Sequence, residues 1–100
     1  MSKVIHKYKL AQGLGHTELM LPEDSVVIDI KVQHGIICMW ALHDIEVSRE
    51  VVFDFYGYAT GQKIPSDHAM MACKTVHIPT GECLSLPIYV VHYFYSCRHQ

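Results

Sequence analysis

Residues 26–42 read VVIDIKVQHGIICMWAL, two apolar runs separated by His34 and Gly35, and this stretch decides the fold. A two-residue turn of type I′ needs positive φ at both central positions, which glycine adopts freely and histidine tolerates. The flanking runs are rich in β-branched residues, which favour strands. The stretch therefore predicts a β-hairpin with His34 and Gly35 at its turn.

The turn also fixes which residues of the two strands stand opposite each other, because strand side chains alternate with period two. One face is predicted to form the core and carries three apolar pairs: Val32 with Ile37, Ile30 with Met39 and Ile28 with Ala41. The other face mixes polar and apolar residues in four pairs: Gln33 with Ile36, Lys31 with Cys38, Asp29 with Trp40 and Val27 with Leu42.

The mixed face of the hairpin is a candidate interface. A fully solvated face would not group Ile36, Trp40 and Leu42, so we expect something to cover part of it. Two interpretations stay open. One is internal cover by a second sheet or a loop, and the other is contact with another subunit.

The rest of the chain adds further short strands. Alternating or β-branched runs predict strands at residues 4–10, 17–21, 51–58, 75–78 and 88–95, and the turn-rich segment 59–67 predicts a long loop. The sequence shows no convincing amphipathic helix. It therefore predicts an all-β fold, a small antiparallel β-sandwich or partly open barrel built around the central hairpin.

The last predicted strand has one side lined with tyrosine, formed by Tyr89, Val91, Tyr93 and Tyr95. Tyrosine combines a large apolar ring with a polar tip, which suits a half-wet surface, an interface or a pocket wall. The simpler interpretation is cross-strand aromatic packing on an outer sheet face.

Length and composition limit the class of protein. One hundred residues predict a single domain, 1–100, and 50% hydrophobic with 18% charged residues exclude a disordered chain. A net charge of −2 disfavours a nucleic-acid partner, because phosphate binding needs a basic excess. No apolar run has the length of a membrane span or of a signal peptide, so we expect neither membrane insertion nor export.

Eight histidines and four cysteines raise the question of a metal site. The sequence contains no Cys-x-x-Cys and no His-x-x-x-His spacing, so it predicts neither a metal site nor a cofactor. It also lacks a Gly-x-Ser-x-Gly elbow and a Walker loop, and no catalytic residue is assigned. A weaker alternative is an enzyme that acts on a small phosphoester with His43, Asp44 and His92.

The bend at residues 56–61 is either a structural turn or a ligand loop whose backbone amides hold a phosphate. In the second interpretation, tyrosine rings stack on a base while Lys63 meets the phosphates. The predicted ligand-binding residues are Thr60, Gly61, Lys63, Tyr89 and Tyr93.

Short motifs occur along most of the chain, at residues 5–10 (IHKYKL), 21–22 (LP), 38–42 (CMWAL), 59–65 (ATGQKIP) and 91–94 (VHYF). Together they resemble a family of small proteins of tailed bacteriophages that is known only as a domain of unknown function. The resemblance implies an accessory protein that acts in the cytoplasm of an infected bacterium, and it implies no particular chemistry.

From this resemblance, the mixed hairpin face and the tyrosine row, we expect a non-enzymatic binding protein that forms a homo-oligomer. It would antagonise a host or anti-phage defence component, either by direct protein contact or by sequestering a small nucleotide signal. A structural or virion-associated module is the alternative, because a fold alone does not choose among these classes.

Overall fold

A computed structural model of the chain describes residues 2–10, 14–78 and 89–98. These residues form seven strands and one helical turn. In chain order the elements are β1 (Lys3–Lys9), β2 (Gly15–Pro22), β3 (Val26–Gln33), β4 (Ile36–Asp44), β5 (Glu50–Ala59), α1 (Ser66–Ala69), β6 (Ala72–Ile78) and β7 (Tyr89–Cys97). Ile88, where the last strand was predicted to begin, lies outside the described residues.

The strands form two antiparallel sheets. Sheet A has the order β1-β4-β3 and sheet B has the order β2-β5-β7-β6. The edge strands β3 and β6 are in contact where the two sheets meet. The prediction of a small all-β sandwich is therefore confirmed, with β4 of the central hairpin in the middle of sheet A.

A single hydrophobic core joins the two sheets. Sheet A contributes the inward side chains of Ile30, Ile37, Met39 and Ala41, each no more than 2% exposed. Sheet B contributes Leu21, Val51, Phe53, Phe55, Val76, Val91 and Tyr93. Because inward and outward residues alternate along each strand, the same pairing leaves two outer faces that carry most of the polar side chains.

The hairpin turn is confirmed, since His34 has φ 53° and Gly35 has φ 76°. The pairs nearest the turn also match the prediction, from Gln33 opposite Ile36 to Asp29 opposite Trp40. Further from the turn the predicted register is wrong. A β-bulge at Ile28 places Val27 opposite Ala41 and Val26 opposite Leu42.

The bulge has a physical reason in the sequence. The run from Val26 to Ile28 is apolar at every position, so alternation assigns no face to its members. A bulge adds one residue to one strand of a pair and so reverses the alternation beyond it. As a result Val27 is half-buried while Ile28 is 39% exposed.

The placement of the tyrosine side of the last strand is also corrected. In β7, Val91 and Tyr93 are each 1% exposed and belong to the core, so this side faces inward and not outward. The Tyr93 ring is part of the core cluster, and the opposite side of β7, with His92 and Phe94, forms part of the outer face of sheet B.

Candidate functional site

The outer face of sheet A carries the three residues predicted as an interface. Ile36, Trp40 and Leu42 all lie on β4 and are half-buried. The pairing of β4 with β1 places Lys7 opposite Trp40 and Ile5 opposite Leu42. The first strand therefore borders this face within the same sheet, a placement that could not be read from the hairpin alone.

Exposed apolar side chains surround this centre. Ile5 is 55% exposed, Val26 is 59% exposed and Ile28 is 39% exposed. A shallow depression of about 370 Å³ opens between them, lined by Ile5, Ile28, Asp29, Lys31, Gln33 and Trp40. Scattered apolar residues are normal on a surface, whereas a contiguous apolar group around a tryptophan indicates a contact surface.

Lysines surround the apolar centre. Lys3, Lys7, Lys9 and Lys31 all point to the outer face, because each stands opposite an outward residue of β4. They are four of the eight basic residues in the chain. The Nζ of Lys31 lies 5.6 Å from the centroid of the Trp40 ring, and the Nζ of Lys7 donates to Oε1 of Gln33 at 2.8 Å. Asp29 lies 4.0 Å from Lys31 and offsets one of these charges. The sheet A face is therefore apolar at its centre and has a net positive border.

The outer face of sheet B carries a different group of side chains, centred on Asp54. The Asp54 side chain is only 7% exposed and accepts hydrogen bonds from His16 Nε2 at 2.7 Å and from Arg98 Nε and Nη2, both at 2.9 Å. Burial alone would raise the pKa of Asp54, but the hydrogen bonds from Arg98 and His16 outweigh it and lower the pKa below its usual value.

These residues also resemble a metal-binding group in composition. Ligand atoms of His16, Glu18 and Asp54 lie within 4.8 Å of one another. The guanidinium of Arg98, however, bonds to Asp54 and lies 3.3 Å from Glu18 Oε1, so a cation already pairs with both carboxylates. A metal ion would have to displace this guanidinium, and the arrangement fits an ion-pair network better than a metal centre.

A column of three rings lies beside this network. The ring of Tyr56 stacks on His16 with centroids 4.5 Å apart and on His68 with centroids 3.9 Å apart. The short helix α1 positions His68, whose Nδ1 lies 2.6 Å from the hydroxyl of Tyr58. A cleft of about 330 Å³ opens next to the column and is lined by Leu14, Gly15, His16, Tyr56, Gly57, Tyr58 and Gln62.

The predicted ligand-binding residues are divided by the fold. Thr60, Gly61 and Lys63 are exposed and flank Gln62, which lines this cleft. Tyr93 lies in the core, so its ring is not available to stack on a ligand, and the backbone of Tyr89 pairs with Ile78 at the start of β7. His16 was not predicted, and Tyr56 and Tyr58 were predicted only as part of the bend at residues 56–61, because the proximity of the three rings arises from strand pairing and has no local motif.

The residues of the alternative enzyme do not share one face. His43 and Asp44 are buried at the end of β4 in sheet A. His92 lies on the outer face of sheet B, where its two ring nitrogens are within 2.9 and 3.0 Å of the hydroxyls of Thr60 and Thr75. Both nitrogens are thus engaged by threonine hydroxyls.

Comparison with known families identifies the class to which the chain belongs. Residues 1–99 match the model of a family described as a domain of unknown function, DUF7352, and the chain is a member of that family. This confirms the resemblance to a family of unknown function. No curated protein and no solved structure matches the chain. In the described residues no helix is long and apolar enough to cross a membrane.

Proposed function

We propose that this protein is a bacteriophage accessory binding protein that acts in the cytoplasm of the infected bacterium. It antagonises a host or anti-phage defence protein by direct contact through the outer face of sheet A. The phage origin and the location rest on the motifs at residues 5–10, 38–42 and 59–65. The mode of action rests on one observation, the exposed apolar group around Trp40 with its surrounding lysines.

The chemistry of this face suggests the chemistry of its partner. A protein surface with an apolar centre and an acidic border would bury Ile5 and Ile28 and pair with the lysines. Contact between two copies of this face would place two positive patches together, because the same patch meets itself in a two-fold contact. We therefore propose an acidic partner protein and assign the expected homo-oligomer to another surface.

The test uses substitutions on this face and a matched control on the other. Trp40→Ala removes the apolar centre and Lys7→Glu reverses one bordering charge, whereas Met20→Ser alters an exposed apolar residue on the outer face of sheet B. We expect a partner captured from infected cells to be lost with the first two variants, retained with Met20→Ser, and released by added salt.

The outcomes separate the occupants of the face. Retention of the partner by both Trp40→Ala and Lys7→Glu would overturn the assignment. Light scattering on the purified protein provides the second measurement. An oligomer that Trp40→Ala dissociates would assign the face to a second copy of the chain and not to a host protein.

A second candidate function is sequestration of a small nucleotide in the cleft beside His16. This candidate is favoured by the aromatic lining of the cleft and by the exposed Thr60, Gly61 and Lys63 next to it. Aromatic rings stack on bases, and backbone amides with a lysine suit phosphates. Native mass spectrometry of gently purified protein, followed by thermal shift with cyclic nucleotides, tests it. An apo protein without any thermal shift would exclude this candidate.

A further inference from the structure

Two histidines on neighbouring strands meet on the inward side of sheet A, one in the middle of β1 and the other near the end of β4. His6 of β1 stands opposite Ala41, and His43 of β4 stands opposite Val4, so the two histidines are diagonal neighbours on one face. The Nδ1 of His6 lies 3.2 Å from the Nε2 of His43, and the ring centroids are 5.0 Å apart. Neither the family match nor the proposed function uses this pair.

The surroundings of His43 fix which of its nitrogens carries a proton. Its Nδ1 lies 3.0 Å from the backbone oxygen of Asp44. Since a carbonyl oxygen can only accept, Nδ1 must donate, and the Nε2 of a neutral imidazole then carries a lone pair directed towards His6. Histidines that bind metals are commonly held in this way, with the second ring nitrogen donating to a carbonyl or carboxylate.

The two rings differ in their access to solvent. His43 is 7% exposed and is held in place by its surroundings, whereas His6 is exposed. One side of the pair is thus oriented in advance, and the other side is open to an ion that arrives from solution. Within the described residues, the Nε2 of His6 has no hydrogen-bond partner. The ring can therefore switch from the tautomer protonated at Nδ1 to the tautomer protonated at Nε2.

We propose that Nδ1 of His6 and Nε2 of His43 form a binding site for a divalent transition-metal ion of the Zn²⁺ class. Two imidazole nitrogens bound to one Zn²⁺, each about 2.0–2.1 Å from it at a tetrahedral angle, stand about 3.3 Å apart. The observed separation of 3.2 Å matches that spacing before any movement of the strands. Water or a donor from a bound partner completes the coordination.

Binding of the metal ion changes the tautomer of His6 and releases no proton. In the metal-free protein, Nδ1–H of His6 donates to Nε2 of His43, which satisfies both atoms. When the ion binds, His6 takes its proton on Nε2 and directs the lone pair of Nδ1 to the metal, so no net proton is released. His43 keeps its Nδ1–H bond to Asp44 throughout.

A site with two protein ligands differs from a structural zinc centre. Structural centres have four protein ligands, and such domains unfold without metal. Here the hydrophobic core consists of apolar side chains from both sheets and includes neither histidine, so we expect metal binding to add to an existing fold. The sequence prediction of no metal site rested on local spacing, which does not report on this pair, because 37 residues separate its members.

The experiment uses untagged full-length protein, treated with a chelator and then titrated with Zn²⁺ or Ni²⁺ alone. Equilibrium dialysis gives the stoichiometry and thermal unfolding gives the stabilisation that binding to the native state produces. We expect one ion per chain and a Tm that rises with metal concentration. His6→Ala removes the exposed ligand without opening the core and should abolish both effects.

The controls separate this pair from the other histidines. His77→Ala replaces another exposed histidine, on β6, and should leave the stoichiometry and the Tm rise unchanged. His6→Cys should restore binding, because a thiolate is also a zinc ligand. The proposal is overturned if no ion is bound by the unaltered chain, or if His6→Ala binds and is stabilised to the same extent as that chain.

Discussion

Asp54 accepts a 2.7 Å hydrogen bond from His16 across the pair of strands β2 and β5, on a carboxylate that is 7% exposed. The same carboxylate holds both Nε and Nη2 of Arg98, whose backbone amide donates to the carbonyl of Val52. Asp54 therefore links an edge strand, a central strand and the residue that follows β7. Its role in the fold is to fasten three separate segments on one outer face.

We predict that Asp54→Asn lowers the free energy of unfolding at neutral pH by about 1.5–3 kcal/mol, the range for hydrogen bonds to charged groups. The amide keeps the size of the side chain but loses the charge and one acceptor. Urea denaturation monitored by circular dichroism measures the change. Glu18→Gln is the control, because the contact between Glu18 and Arg98 is half exposed and should contribute less than about 1 kcal/mol.

The acid dependence of stability should change in the same variant. The folded pKa of Asp54 is lowered, so its contribution is fully present above the pKa of the unfolded chain and is lost as pH falls through the folded pKa. As the pH falls below about 4, the unaltered protein should therefore lose more stability than Asp54→Asn. Parallel acid unfolding curves for the two proteins would contradict this assignment.

Alkaline pH should destabilise the protein through Tyr93. Burial raises the pKa of Tyr93 to about 12. An unfolded tyrosine ionises near pH 10, so above that pH the unfolded chain loses a proton that the folded chain keeps. The loss grows by up to about 1.4 kcal/mol for each pH unit and reaches about 2.3 kcal/mol at pH 12. Between about pH 10 and pH 12, the free energy of unfolding of Tyr93→Phe should fall less steeply with pH than that of the unaltered protein. Equal slopes for the two proteins would show that folding does not raise the pKa of Tyr93.

The hairpin is the part of the fold that the sequence determines most directly. Its turn and the pairs next to it depend on local chemistry, namely positive φ at His34 and Gly35 and strict alternation from Asp29 to Gln33. Alternation gives no information in the apolar run at Val26–Ile28, and there a bulge changes the register. The tyrosine side of β7 was misplaced because tyrosine suits a core and a half-wet surface equally well by composition.

Contacts between distant segments were beyond sequence analysis for a different reason. The expectation that something covers the mixed face of the hairpin stays a prediction, and the alternation of β1 did not indicate that this strand would pair with β4. The network of His16, Asp54 and Arg98 depends on the strand order of sheet B. A single sequence carries no local signal for either arrangement, since each depends on which strands become neighbours.

A further prediction concerns the backbone conformation of the hairpin turn and its effect on stability. An added Cβ at Gly35 would meet no atom within 4 Å, so Gly35→Ala introduces no steric overlap with the rest of the fold. Its φ of 76° lies in the left-handed region, where an L-residue costs about 1–2 kcal/mol. We expect this loss in urea denaturation. His34→Asn should instead be neutral or stabilising, because asparagine tolerates positive φ. Unchanged stability of Gly35→Ala would mean that the turn rearranges.

Two methionines provide a matched test of the sandwich itself. Met39 lies in the core on the central strand of sheet A and is fully buried, whereas Met20 lies on the outer face of sheet B and is 54% exposed. Met39→Ala should lower the free energy of unfolding by about 2–5 kcal/mol, since it removes buried atoms and leaves a cavity. Met20→Ala should change it by less than about 0.5 kcal/mol. Both substitutions remove the same atoms, so the difference between their changes in the free energy of unfolding measures the contribution of burial between the sheets. Equal effects in urea denaturation would mean that the inner face of β4 is not covered by sheet B.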